Sequence, residues 1–89
     1  LNLPYIASEF HLSEPYLSRK FKAKFDINII QYIKLVRIRH AKQLLMSSGK
    51  QIPEISLLVG YDDEKYFSRV FKEMEKISAN DYRKKFSNK

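Results

Sequence analysis

Arg19 and Arg69 stand fifty residues apart, each preceded by a serine and followed three positions later by a lysine. A guanidinium presents a rigid fork of donors suited to paired acceptors, a serine hydroxyl both donates and accepts, and a lysine ammonium is a point charge suited to phosphate. The match is wider than these residues. Tyr16-Leu17-Ser18-Arg19-Lys20-Phe21-Lys22 recurs as Tyr66-Phe67-Ser68-Arg69-Val70-Phe71-Lys72, and the same offset carries Ile27 onto Ile77, Tyr32 onto Tyr82 and Lys34 onto Lys84. Upstream the offset is 49, with Ile6 matching Ile55 and His11 matching Gly60. One residue is therefore expected to be inserted at the start of the second unit's longer helix.

Other chemistries are poorly supplied. Cysteine is absent, which removes disulfides, Cys-ligated zinc and thiol catalysis. His11 and His40 lack ligand spacing, so no metal is expected. Two isolated glycines cannot build a phosphate-cradling loop, and no nucleophile–base arrangement is visible. Neither an enzyme nor a cofactor is expected. The 89 residues (10.6 kDa) carry 17 Lys plus Arg against 10 Asp plus Glu, a net charge of +7 with a pI near 9.7. That balance points to a polyanionic partner. The excess sits in residues 27–51, which hold five bases and no acid. A hydrophobic content of 44% is too high for a disordered basic tail. No apolar run approaches the roughly 18 residues of a membrane span, and Leu1 to Phe10 lacks a basic signal-peptide start. The expectation is a fragment of a larger cytoplasmic, nucleoid-associated protein, with no membrane partner.

Apolar residues recur three and four apart, so the class is all-α. Helices are predicted over Pro4–Phe10, over Glu14–Phe25 capped by Ser13, and over Ile29–Ser47 closed by Ser48-Gly49. Pro53–Val59 follows, ended by Gly60; then Asp63 to about Glu75 capped by Asp62, and Ser78 capping a last helix to about Phe86. The chain thus reads as two helix-turn-helix subdomains joined by a long helix, a homeodomain-like tandem. Its segments are a first unit over 1–28, a connector over 29–48, and a second unit with a C-terminal helix over 49–89.

Helix faces sharpen the reading. At roughly 100° per residue, Leu17, Phe21, Phe25 and the stem of Lys24 face inward, while Pro15, Ser18, Arg19 and Lys22 face outward. In the second copy Phe67, Val70, Phe71 and Met74 turn inward and Lys65, Ser68, Arg69 and Lys72 outward. A helix of this kind enters the major groove, where Arg forks onto guanine, Ser reaches base edges and Lys neutralises phosphate. Solvated polar faces alone give no reason for the same residues to recur in two diverged copies. The roughly 28 Å connector compares with the roughly 34 Å between major-groove faces on one side of B-DNA. One chain could therefore read two adjacent segments.

The residues from Arg37-Ile38-Arg39-His40-Ala41 through Gly60-Tyr61 and Tyr66-Phe67-Ser68-Arg69 to Asp81-Tyr82-Arg83 resemble the DNA-binding domain of the AraC/XylS family of bacterial transcription regulators. Ile6-Ala7-Ser8 through Lys22 are similar to that family's first helix-turn-helix. The resemblance implies double-stranded DNA as partner, bases read by Pro15, Ser18 and Arg19 and by Glu64, Lys65, Ser68 and Arg69, and backbone contacts from Ser13, Lys22 and Lys72. It also implies activation of transcription through RNA polymerase, and an attached sensing or dimerising domain outside these residues. The pattern departs at three places. The helix that precedes the first unit in the family is not among these residues, and a first unit without it is expected to be under-packed. Asp26 and Lys76 replace the glycines that close the recognition helices, and Ala79 replaces a proline.

Several residues keep two readings. Asp62-Asp63-Glu64 is a helix cap complementing the helix dipole, or Glu64 accepts from cytosine N4. Carboxylates there repel phosphate, so the second unit is expected to hold non-specific DNA more weakly than the first. Arg37, inside the connector's apolar arc, is a DNA contact or, as the leading expectation, a buried structural residue paired with a carboxylate or a helix end. Tyr5, Tyr16 and Tyr66 could touch sugar-phosphate, with half-buried packing the simpler expectation. The alternative to DNA is a basic helical module docking on an acidic protein, which an exposed apolar stripe would favour.

Overall fold

A computed structural model describes residues 2–87. They form α1 (Leu3–Glu9), α2 (Glu14–Phe25), α3 (Ile29–Ser47), α4 (Ile52–Val59), α5 (Glu64–Glu75) and α6 (Ala79–Phe86), with no strand among the described residues. The chain divides into two compact units between Val36 and Arg37, part-way along α3. Each unit contains one helix-turn-helix, α1–α2 and α4–α5.

In the first unit, Asn2 caps α1 by accepting from the Tyr5 N–H at 2.8 Å, and Pro4 lies in the first turn, where no N–H is required. The helix stops one residue before the expected Phe10, which is its C-cap. His11 then turns the chain at φ 56°, and the Leu12 N–H returns to the Ala7 carbonyl at 2.9 Å. Ser13 caps α2 as expected, accepting from Tyr16 at 3.2 Å. Asp26 ends α2 at φ 56°, and Asn28 caps α3 by accepting from the Ile30 N–H at 2.7 Å. The core is thin: Ala7, Ile29 and Ile33 are buried, and Leu17 and Phe21 half-buried. Phe25 and Lys24 were expected inside, but both are exposed, Phe25 by 56%. The Phe25 ring packs along its own helix edge, 4.8 Å from Phe21, with the Lys24 ammonium 5.6 Å from its centroid.

The second unit holds the larger core. Ile38, Ala41 and Leu45 of α3 pack with Ile55 and Val59 of α4, with Tyr61 of the turn, with Phe67, Val70 and Phe71 of α5, and with Ala79 of α6. α4 begins at Ile52, one residue earlier than the sequence suggests. Its C-terminal turn repeats the first unit's at an offset of 49: Gly60 takes φ 113°, and the Tyr61 N–H bonds the Ser56 carbonyl at 2.9 Å. The buried Ser56 hydroxyl adds a bond to the Tyr61 carbonyl at 3.1 Å. Helix α5 is capped by Asp63, not Asp62; its carboxylate accepts from Lys65 at 2.9 Å and Tyr66 at 3.4 Å. Since α2 and α5 have the same length and their caps lie 50 apart, the inserted residue sits in the turn before the cap rather than in the helix. A side chain reaches the free N–H groups only from the position just before the first turn, which favours Asp63.

Gly49 does not take the left-handed conformation expected at the end of α3. The helix is closed instead by the Ser47 and Ser48 hydroxyls, which bond back to the Gln43 and Leu44 carbonyls at 2.8 and 2.7 Å. Arg83 of α6 completes the closure, donating to the Leu45 and Ser48 carbonyls at 3.1 and 3.2 Å. Ser78 caps α6 as expected, accepting from Asp81 at 3.0 Å. Lys42 pairs with Glu75 at 3.2 Å between α3 and α5.

Candidate nucleic-acid interface

Each recognition helix is held by the same local devices. A tight left-handed turn aims the chain, an oxygen-bearing cap starts the helix, and a left-handed residue stops it after twelve residues. Asp26 and Lys76 end their helices at φ 56° and 71°, and their N–H groups bond Lys22 and Lys72 at 2.8 Å in both copies. Left-handed geometry costs a lysine more than a glycine, yet these φ values lie inside the small region open to L-residues. The ring pair Phe21–Tyr32, at 5.3 Å, repeats as Phe71–Tyr82 at 5.6 Å, so each helix is anchored at the same position to the element that follows it.

The anchoring leaves the polar residues outward. Pro15, Arg19 and Lys22 are exposed on α2, and Glu64, Lys65, Arg69 and Lys72 on α5, while Ser18 and Ser68 are half-buried. Both serines were expected on the outward faces and instead lie at the edge of them, between the exposed and the buried sides of their helices. The Ser13 hydroxyl already accepts from Tyr16, but its proton remains available to a phosphate oxygen. Phe67, Val70 and Phe71 on the opposite side of α5 are buried, so that helix cannot rotate without breaking the core.

The two copies are not equivalent. On α5 the Arg69 guanidinium lies over the Tyr66 ring, 5.4 Å from its centroid; on α2 it is Lys20 that lies over Tyr16, at 5.6 Å. Tyr5, Tyr16 and Tyr66 are 59%, 40% and 37% exposed, more open than half-buried packing suggests and within reach of a ligand laid along the helices. The acid cluster resolves in part: Asp63 is the cap, while Asp62 and Glu64 are exposed. Arg37, expected buried, is half-buried, and its guanidinium lies 4.8 Å from the Tyr61 ring centroid, beside the Gly60 helix end. Burial pushes the Tyr61 hydroxyl above its ordinary pKa of 10.0, and the neighbouring Arg37 guanidinium draws part of that shift back. The Arg37 guanidinium meets this buried hydroxyl by hydrogen bonding and by charge. The sequence did not point to Arg83 as the clamp on α3, because its partners lie 35 and 38 residues away.

Among the described residues no cluster of His, Cys, Asp or Glu could hold a metal ion. No described helix is long and apolar enough to cross a membrane. The arrangement offers forked donors, hydroxyls and point charges on two like-built helices, a set suited to base edges flanked by phosphates.

A helix-turn-helix domain family matches residues 6–85 of this chain. The transcriptional regulator YisR of Bacillus subtilis is 38% identical over 79 residues, covering 89% of this chain and 28% of its own length. The lactose operon transcription activator of Staphylococcus xylosus is 34% identical over 82 residues, covering 92% of this chain and 29% of its own. The chain thus spans less than a third of these relatives. Among solved structures, the C-terminal domain of AraT, a response regulator from Geobacillus stearothermophilus, superposes with a TM-score of 0.91 at 36% identity, covering 100% of this chain and 74% of that one.

Proposed function

Since the chain belongs to the AraC/XylS family of helix-turn-helix transcription regulators, we propose that it binds double-stranded promoter DNA sequence-specifically, inserting α2 and α5 into adjacent major-groove segments. One observation carries this reading: Ser, Arg and Lys recur at equal positions of two helices of equal length, held by like turns and caps. Arg19 and Arg69 fork onto guanines, and Ser18 and Ser68 reach neighbouring base edges. Pro15 packs against base edges without donating; Lys65 donates to an acceptor, and Glu64 accepts from a cytosine amino group. Ser13, Lys22 and Lys72 hold phosphates and so fix the register. No catalytic step enters this reading. RNA polymerase is the protein partner in activation, and a sensing or dimerising domain belongs to the rest of the protein.

The alternative, a basic helical module docking on an acidic protein, draws support from exposed apolar side chains, Leu57 and Leu58 of α4 among them. A groove of about 330 Å³ in the first unit is lined by Phe21, Phe25, Ile27 and Tyr32. Its counterparts in the second unit are Phe71, Glu75, Ile77 and Tyr82, none of them exposed. The apolar surface is therefore not repeated, whereas the polar faces are, and DNA is the better-supported ligand.

The salt dependence of duplex binding tests the proposal. Lys22→Ala and Lys72→Ala should each weaken binding on every sequence and lower the slope of log K against log salt by about 1. Arg19→Ala should cost about 1–3 kcal/mol on a preferred duplex and relax one base position. If all three variants change preferred and random duplexes alike, sequence-specific readout is wrong.

A further inference from the structure

The second recognition helix carries a chain of stacked groups that the first lacks. It begins at Arg37 on α3, whose guanidinium lies 4.8 Å from the centroid of the Tyr61 ring. Tyr61 is 5% exposed and is fixed by the core through Phe67, whose centroid is 5.8 Å away. Its ring meets Tyr66 nearly edge-on, with centroids 5.7 Å apart and planes at 61°. Tyr66, at the surface, in turn lies beneath the Arg69 guanidinium at 5.4 Å. The series therefore runs from a fixed helix, through the core, to an exposed arginine.

Among the described residues nothing similar reaches Arg19. Leu12 stands at the place of Tyr61, and the cation over Tyr16 is Lys20. In the second copy Val70 replaces Lys20 and is buried, which leaves the Tyr66 ring to Arg69. A long exposed arginine otherwise samples many rotamers, and each one frozen on binding weakens the complex. A ring face that already holds the guanidinium in one direction removes part of that cost and selects the acceptor it can meet.

We propose that Arg37, Tyr61 and Tyr66 are positioning residues that hold Arg69 in one orientation, so that the second unit discriminates bases more sharply than the first. The proposal rests on Arg69 being a base reader, as argued above. Its test compares affinities for a duplex selected from a random pool with those for all its single-base variants, using Arg69→Ala, Tyr66→Leu, Tyr66→Phe and Arg37→Lys. Arg69→Ala identifies the base position concerned. Tyr66→Leu should relax preference at that position about two- to five-fold, the worth of one exposed cation–π contact, with the salt slope unchanged. Tyr66→Phe, which keeps the ring face, should restore it. Arg37→Lys keeps the charge but loses the planar stack, and should relax the same position about two-fold and no other.

An equal loss on every duplex from Tyr66→Leu or Arg37→Lys would mean a purely structural role and overturn the proposal. Failure of Tyr66→Phe to restore the preference would do the same. If Arg69→Ala relaxes a position that Tyr66→Leu leaves intact, the positioning role fails and base reading by Arg69 stands. If Arg69→Ala changes no preference, both fall together.

Discussion

Gly60 and His11 occupy equivalent turns, and the structure predicts very different responses to substitution. Gly60 has φ 113°, beyond the left-handed region open to L-residues, and a Cβ built there would stand 2.9 Å from Arg37 Nε. In Gly60→Ala the backbone strain costs about 1–3 kcal/mol. Moving Arg37 off the Tyr61 ring costs about 0.5–2 kcal/mol more. The loss should total about 1.5–5 kcal/mol, or a Tm lowered by roughly 6–40 °C at about 4–8 °C per kcal/mol for a domain this size. His11 sits at φ 56°, inside the permitted region. His11→Gly relieves about 1 kcal/mol of strain but loses about 0.4–1 kcal/mol through the greater freedom of the unfolded chain. Its net effect should stay below about 1 kcal/mol. Urea unfolding followed by far-UV circular dichroism measures both. Adding Arg37→Ala separates the causes: in that background Gly60→Ala should cost only the backbone strain. A Gly60→Ala protein within about 0.5 kcal/mol of the parent would refute the reasoning, as would an equal loss with and without Arg37.

Other outcomes are equally definite. Arg83→Ala removes two bonds from a guanidinium to the end of α3 and should cost about 1–3 kcal/mol; Arg83→Lys, lacking the fork, should recover only part, as read by the same unfolding curves. Tyr61→Phe should cost about 0.5–1.5 kcal/mol at pH 7, since it removes the hydroxyl that the Arg37 guanidinium meets. Because the folded hydroxyl's pKa is raised, its contribution is intact below pH 10.0 and falls as pH climbs through that value. The stability difference between parent and Tyr61→Phe should therefore shift against the parent only above about pH 10, and a difference flat to pH 11 would contradict it. On random duplexes Arg19→Ala should lose more affinity than Arg69→Ala, because Asp62 and Glu64 are exposed and their carboxylates should repel phosphate beside the second unit. Equal losses would remove that asymmetry.

Local signals located most of the fold. Ser13 and Ser78 announced their helices because a cap is a contact over three residues, and the hydrophobic period of α5 matched its buried face. Asp62 and Asp63 were ambiguous for the same reason: adjacent carboxylates both precede the helix, and only the backbone decides which one reaches Lys65 and Tyr66. The end of α3 was legible in part: the helix stops at Ser47 and Ser48 closes it, whereas Gly49 takes no part and the added clamp, Arg83, comes from a distant helix. Phe25 misled because helical spacing reports a face and not whether anything covers it. The candidate interface was more legible than the core, because a repeat of exposed residues needs no packing to be seen. What turned on packing, the ring beneath Arg69 and the guanidinium over Tyr61, emerged only in three dimensions.

Selection of duplexes from a random pool by this chain tests the central claim most directly. The account predicts an asymmetric site with two separate clusters of preferred bases about one helical turn apart, Arg19→Ala erasing preference in one cluster and Arg69→Ala in the other. A pool that stays random, or a single cluster that neither substitution alters, would contradict it.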